Sequence, residues 1–142
     1  MKSKLLIHVI AGLLILLFTY TAVSKLADFA AFSGQLYNQA FPRPLAALLV
    51  WTLPPIELIV AFALMTERFR LSGLWASLLL MILFTFYIAL VLAGFFPRTP
   101  CSCGGVIKAL GWKNHLLFNL FFLLISILGI IMTYRERRMR KN

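Results

Sequence analysis

Long apolar runs separated by short polar segments dominate the chain. Four runs carry few or no charges, and they span residues 5–23, 45–65, 71–96 and 115–134. A helix needs about 20 predominantly apolar residues to cross the hydrocarbon core of a bilayer, and each run is close to that length or longer. Short connections favour antiparallel packing of consecutive helices. The pattern predicts an all-α integral membrane protein, a four-transmembrane-helix bundle that occupies residues 1–142 as a single domain.

Two connections between the runs are long enough to carry features of their own. Residues 29–41 mix aromatic, Asn and Gln side chains in a pattern that suits a short amphipathic segment at the membrane interface. Pro42 and Pro44 are expected to break this segment before the second run begins. The other long connection, residues 97–114, separates the third run from the fourth. The first run is longer than the roughly 7–15 apolar residues of a signal peptide, so it is interpreted as an uncleaved helix.

Composition and charge support a membrane location and predict an orientation. Hydrophobic residues make up 62% of the chain and charged residues 13%, against roughly 45–50% and 25% in soluble domains. A net charge of +10 would suggest nucleic acid as a partner of a soluble protein. Here, nine basic residues lie at the end of the bundle that carries both termini, and five lie at the other end. Basic residues concentrate on the cytoplasmic side, so both termini are expected in the cytoplasm and no nucleic-acid partner is expected.

The two cysteines of the chain lie together in the connection 97–114, in the segment Cys101-Ser102-Cys103. The predicted orientation places this loop on the periplasmic side of a bacterial inner membrane, where isolated cysteine pairs are usually disulfides or cycling dithiols. A disulfide across one intervening residue would be strained and would restrain little chain. Strained disulfides are reduced more easily, so the spacing favours redox exchange by Cys101 and Cys103.

Other interpretations of this region remain open. The cysteine pair could form a local structural disulfide. Two thiolates fall short of the four ligands that zinc usually takes, so no metal site is predicted, although Cu(I) accepts sparser thiolate sites. His115 is expected at the same membrane face, where it could accept a thiol proton, but the preferred interpretation is an interfacial histidine that marks the start of a helix. His8 is expected at the opposite face, so the two histidines cannot share a haem iron.

An acidic residue, Glu57, lies well inside the second run, just after Pro54 and Pro55. A carboxylate within a membrane normally faces the bundle interior with a partner, because its insertion costs at least about 2.5–3.5 kcal/mol. Lys25, at the outer end of the first run, is the expected partner, since its long stem can reach into the membrane. The favoured interpretation is an ion pair that fixes helix packing. A proton relay or a contact with a quinone headgroup is the alternative.

Three motifs in this order resemble the MauE branch of the DoxX-like membrane proteins. They are Ser24-Lys25-Leu26, Leu53-Pro54-Pro55-Ile56-Glu57-Leu58 and Cys101-Ser102-Cys103-Gly104-Gly105. The resemblance covers nearly the whole chain and implies a four-helix inner-membrane bundle whose redox pair is Cys101 and Cys103. The namesake of the family is linked to maturation of a disulfide-rich periplasmic dehydrogenase subunit, together with a thioredoxin-like partner. Family members more often carry an aromatic residue where this chain has Gly104.

The predicted function is therefore that of an inner-membrane thiol–disulfide redox protein. It would exchange electrons between a periplasmic thioredoxin-like or disulfide-containing partner and a membrane carrier such as quinone. The alternative is a non-catalytic membrane subunit that docks onto or stabilises a larger membrane complex. The cysteine pair discriminates between them, because a subunit should tolerate its loss, whereas a thiol–disulfide oxidoreductase should not.

Overall fold

The computed structural model of the chain describes residues 1–37, 42–94 and 106–142. Along these residues the chain forms the helices α1 (Lys2–Ala27), α2 (Phe29–Tyr37), α3 (Arg43–Met65), α4 (Arg70–Leu92) and α5 (Val106–Lys141). All of them except α2 are long and apolar enough to cross a membrane. The prediction of an all-α, four-transmembrane-helix bundle is confirmed.

The ends of the helices show how the bundle is arranged. The start of α1, the turn between α3 and α4, and the end of α5 line one cleft, to which they contribute Lys4, Glu67 and Arg137. Helices α1 and α4 therefore run in one direction, and α3 and α5 run in the other. The connection from α1 to α3 and the connection from α4 to α5 both leave from the opposite end of the bundle.

The interior of the bundle is apolar and closely packed. Leu14, Leu64 and Leu74, from α1, α3 and α4, are completely buried in one core cluster. A Cβ atom added to Gly73 would lie 3.0 Å from the backbone nitrogen of Leu64, so α3 and α4 approach each other closely beside their connecting turn. Small residues commonly permit such close approach between membrane helices. Large apolar side chains also cover the outside of the bundle, as expected for a surface that faces lipid.

The short helix α2 packs on the start of α3. Phe32 and Leu36 are buried against Val50 in a second apolar cluster. Phe32 and Leu36 lie on one face of α2 because positions four apart in a helix are neighbours, and Val50 belongs to α3. The predicted short amphipathic segment is thus a helix that covers part of α3 at the end of the bundle opposite the termini.

Helix α4 is shorter than the apolar run that predicted it. The run extends to residue 96, whereas the helix ends at Leu92. The Ala93 N–H still donates to the Ala89 carbonyl at 3.0 Å. Gly94 then adopts a φ of 79°, a left-handed conformation that commonly ends helices and that glycine adopts without steric cost.

Helix α5 is longer than its apolar run of 115–134 at both ends. It begins at Val106 and ends at Lys141, so residues 106–114, which were predicted to belong to the loop 97–114, are helical. Gly111 interrupts the helix with a φ of 73° and a ψ of 168°. The apolar run of 115–134 therefore missed a helical segment before Gly111 and the basic helical turns after residue 134.

Candidate functional site

A buried ion pair joins α1 to α3 inside the bundle. Lys25 Nζ donates a hydrogen bond to Glu57 Oε1 over 2.5 Å. The Lys25 side chain is 4% exposed and the Glu57 side chain is 0% exposed. Removing one partner from such a pair leaves an uncompensated buried charge, at a cost of about 3–5 kcal/mol. The pair therefore strongly favours the packing of α1 on α3 that keeps both groups in contact.

The directions of the two helices explain why these side chains meet. Side chains on an α-helix lean toward its N-terminus. Lys25 lies near the C-terminal end of α1, so its stem leans back into the bundle. Glu57 lies on the antiparallel helix α3 and leans toward the end from which Lys25 reaches in. Pro54 and Pro55 lie within α3 just before Glu57, where they remove two backbone donors from the helix.

Aromatic rings from two further helices surround the ammonium group. Lys25 Nζ lies 5.8 Å from the ring centroid of Phe32 on α2 and 5.8 Å from that of Phe84 on α4. A cation within about 6 Å of a ring centroid is attracted by the ring quadrupole. Helices α2 and α4 thus both contribute to stabilising the lysine charge away from water.

Two polar side chains of α5 face the same interior. His115 and Asn119 are 4% and 3% exposed, and their spacing of four residues places them on one face of the helix. The His115 ring lies beside Phe118, with 6.4 Å between the ring centroids. The sequence interpretation placed His115 at the membrane interface near the start of a helix, and the apolar span that contains it runs from Lys113 to Lys141. His115 follows the break at Gly111 by four residues, and its side chain is buried in the bundle.

Helices α1, α3, α4 and α5 line a cavity of about 30 Å³ beside the ion pair. Its polar lining consists of Thr21, Lys25, Glu57, His115 and Asn119. Its apolar lining consists of Leu17, Phe18, Met81, Phe84 and Phe118. A volume of this size can hold a water molecule. It is about one-tenth of the roughly 300 Å³ at which typical small-molecule pockets begin.

Two buried polar atoms of the cavity-lining residues have no hydrogen-bond partner within the described part of the chain. They are Glu57 Oε2 and His115 Nδ1. Buried polar atoms are normally paired, and an unpaired one costs about 1–3 kcal/mol. The Thr21 hydroxyl donates to the Phe18 carbonyl at 3.2 Å and also lies close to the Glu57 carboxylate. The lining therefore contains a carboxylate oxygen and a ring nitrogen that can each bond to an occupant of the cavity.

The predicted redox residues Cys101 and Cys103 lie outside the described residues. Three residues of chain lead from Cys103 to Val106, the first residue of α5, which corresponds to at most about 11 Å of extended backbone. The cysteine segment is thus tethered to the end of the bundle that contains His115. Within residues 1–37, 42–94 and 106–142, no group of three or more His, Cys, Asp and Glu side chains is placed to hold a metal ion.

The second histidine lies at the other end of the bundle. His8 Nδ1 is 2.7 Å from the Lys4 carbonyl oxygen, and the ring lines the cleft that also contains Arg70 and Glu136. This cleft has a volume of about 190 Å³. His8 and His115 therefore occupy opposite ends, and His8 takes no part in the buried polar site.

The sequence analysis paired Lys25 with Glu57, and the structure brings the two side chains into contact. It did not identify Thr21 or Asn119 as members of the site. Thr21 precedes Lys25 by four residues, and Asn119 follows His115 by four residues. Each pair therefore shares one face of an otherwise apolar helix, and this spacing is the signal that could have revealed them.

Comparison with known proteins gave one family. The family model described as methylamine utilisation protein MauE matches residues 3–132 of the chain. The matched region starts in α1 and ends within α5, so it contains every residue that lines the cavity. No curated protein and no solved structure matched the chain.

Proposed function

The chain belongs to the MauE family, and on that premise we propose that it is a thiol–disulfide exchange protein of the bacterial inner membrane. It exchanges electrons between a periplasmic thioredoxin-like or disulfide-containing protein and a membrane carrier such as quinone. Cys101 and Cys103 form the exchanging pair. The family description, methylamine utilisation protein, suggests a partner that serves the use of methylamine.

The observation that carries this proposal is the buried polar site at the end of the bundle to which the cysteine segment is tethered. Lys25 and Glu57 are both buried, and His115 lies on the wall of the same cavity. A bundle that served only as an anchor would gain little from such groups, because apolar residues often replace buried ion pairs without loss of stability. Ionisable residues inside membranes usually serve a function.

The exchange moves two electrons in two steps. A thiolate of the reduced partner attacks one sulfur of the Cys101–Cys103 disulfide, which forms a mixed disulfide and releases the other cysteine as a thiolate. The second thiolate of the partner then breaks the mixed disulfide, so the partner leaves oxidised and this chain holds two thiols. Transfer of two electrons and two protons to a quinone restores the disulfide and forms a quinol. In reverse, the same steps reduce the partner.

His115 has the role of a proton acceptor in this scheme. The thiolate is the attacking species, so the proton of each attacking thiol needs an acceptor, and imidazole is suited to accept it and return it to the leaving thiolate. The cavity of about 30 Å³ is too small for a quinone ring. The carrier is therefore assigned to the lipid-facing surface of the bundle rather than to the space between the helices.

The orientation in the membrane forms part of the proposal. Both termini lie in the cytoplasm, and the cysteine segment lies in the periplasm. The cleft at the end with the termini contains Lys4, Arg70, Arg137 and Arg140, from three separate segments. This concentration of basic groups supports the orientation, because such groups accumulate on the cytoplasmic side.

Trapping a mixed disulfide in cells tests the proposal. The variants Cys101→Ser and Cys103→Ser each retain one thiol, which can form a mixed disulfide but cannot resolve it. One of them should accumulate an adduct with a thioredoxin-like protein after acid quenching, and dithiothreitol should release that adduct. The double variant Cys101→Ser/Cys103→Ser is the matched control and should form no adduct.

The redox state of the partner in cells provides the second measurement. Thiol counting by mass spectrometry should show that the double serine variant shifts the partner toward the state that accumulates when the membrane protein is absent. A double variant with full function, together with no adduct in either single variant, would contradict the proposal. That result would favour the non-catalytic membrane subunit.

A further inference from the structure

The cavity beside the ion pair combines a small volume with unpaired polar groups. We propose that it holds one or two water molecules that hydrogen-bond to Glu57 Oε2 and His115 Nδ1, and that this water makes the two side chains a single proton-exchange site. The presence of the water is independent of the proposed function. The use of the site in thiol–disulfide exchange rests on that function.

Volume and polarity both meet the requirements for internal water. A water molecule needs roughly 10–15 Å³ of space measured at its centre, and two to four polar partners. The cavity provides about 30 Å³. Glu57 Oε2 and His115 Nδ1 are unpaired within the described residues, and the side chain of Asn119 also lines the space. Apolar cavities of this kind stay dry, whereas polar ones are hydrated.

The partners are available because the ion pair uses only part of the carboxylate. Lys25 Nζ bonds to Glu57 Oε1, and Oε2, which has two lone pairs, can accept a hydrogen bond from water even with the Thr21 hydroxyl nearby. The ring nitrogen of His115 can accept or donate, depending on its tautomer. A water molecule with two donors and two acceptors can satisfy both groups at once.

The lining isolates this site from other titratable groups. Helices α1, α3 and α5 contribute Lys25, Glu57 and His115, which are the titratable side chains among the lining residues. Helix α4 contributes only Met81 and Phe84. A proton that reaches His115 can therefore be shared with Glu57 through the water, with no other titratable side chain among the lining residues to take it.

This arrangement provides a place to hold a proton during thiol–disulfide exchange. The attacking thiol transfers its proton to His115 as the new sulfur–sulfur bond forms. The proton is shared through the water with Glu57 while the mixed disulfide persists. It then passes to the cysteine thiolate that the same attack released when the old sulfur–sulfur bond broke, so no proton is gained or lost overall.

Water-edited solid-state NMR in vesicles of phosphatidylethanolamine and phosphatidylglycerol can detect the water. The protein would carry 15N-labelled histidine and the substitution His8→Gln, so that the ring signals come from His115 alone. Magnetisation should pass rapidly from water to the His115 ring. Asn119→Leu, which places an apolar side chain in the cavity, should reduce this transfer at least about threefold.

A matched control and a second variant that fills the cavity distinguish loss of the water from a general effect on folding. Ser126→Ala removes another completely buried polar group of α5, whose hydroxyl donates to the Phe122 carbonyl at 2.8 Å, and it should leave the transfer unchanged. Thr21→Leu fills the cavity from α1 and should act like Asn119→Leu. Slow transfer from water to His115 in the protein with intact Asn119 would overturn the water site. Transfer in both Asn119→Leu and Thr21→Leu that is as fast as in the protein with intact Asn119 would also overturn it.

The rate at which dithiothreitol reduces the cysteine pair tests the proton role. Asn119→Leu should slow the reduction at least about threefold, and Ser126→Ala should not change it. An unchanged rate in a variant that has lost the water would overturn the role in proton exchange. Rapid water transfer to His115 in a protein whose cysteines fail to exchange would instead refute the proposed function and leave the hydrated site intact.

Discussion

Lys25 binds Glu57 through one carboxylate oxygen and leaves the other without a partner in the described part of the chain. The ammonium nitrogen lies 2.5 Å from Oε1, whereas Oε2 is buried and unpaired. The contact therefore links α1 to α3 and also leaves an acceptor among the groups that line the cavity. The same residue pair thus contributes to both the stability of the bundle and its candidate chemistry.

The first prediction concerns the stability that depends on this pair. Glu57→Gln should lower the free energy of unfolding by about 3–5 kcal/mol, because it leaves the Lys25 charge buried without its counterion. Lys25→Met should recover part of that loss when it is combined with Glu57→Gln. Unfolding of the single and double variants in detergent, followed by circular dichroism, would measure the coupling. Strictly additive effects would show that the two side chains do not interact.

The second prediction concerns the close approach of α3 and α4. A Cβ atom at Gly73 would lie 3.0 Å from both the backbone nitrogen and the Cγ atom of Leu64. Gly73→Ala should therefore destabilise the bundle by about 1–3 kcal/mol, even though alanine favours helix formation. Gly12→Ala is the control, since a Cβ there meets nothing within 4 Å, and it should be neutral or stabilising. Similar stabilisation by both substitutions in detergent unfolding would refute the close contact.

The third prediction concerns orientation. An impermeant thiol reagent added to intact, reduced spheroplasts should label Cys101 or Cys103, because the cysteine segment is assigned to the periplasmic side. The control is a cysteine-free variant that carries Glu67→Cys in the exposed turn between α3 and α4, which should react only after lysis. The reverse pattern would invert the proposed topology.

The fourth prediction concerns the redox couple. Structural disulfides usually have midpoint potentials below about −300 mV, and the Cys101–Cys103 pair should lie above that value because its short spacing favours a labile bond. A redox titration with thiol counting by mass spectrometry would measure it. The serine variants should unfold at the same temperature as the native protein, since the spacing restrains little chain. A potential within the structural range would argue for a permanent disulfide.

The sequence by itself determined the four membrane helices and the principal buried pair. The thickness of the hydrocarbon core sets the length of an apolar helix, so the helices can be recognised without any knowledge of their neighbours. Glu57 was recognisable as an interior residue because a charge in the membrane needs a partner. Lys25 was a suitable partner because its stem is long and its helix ends near that depth.

Only the tertiary structure decided which other residues join that pair. Thr21 and Asn119 carry no charge that would require a partner, and the apolar pattern of α5 does not specify which of its faces meets α1 and α4. The rotation of α5 about its axis depends on side-chain packing with α1 and α4, and this rotation buries the His115 side chain in the bundle. The cavity exists for the same reason, because its walls come from four separate helices that meet only when the bundle is packed.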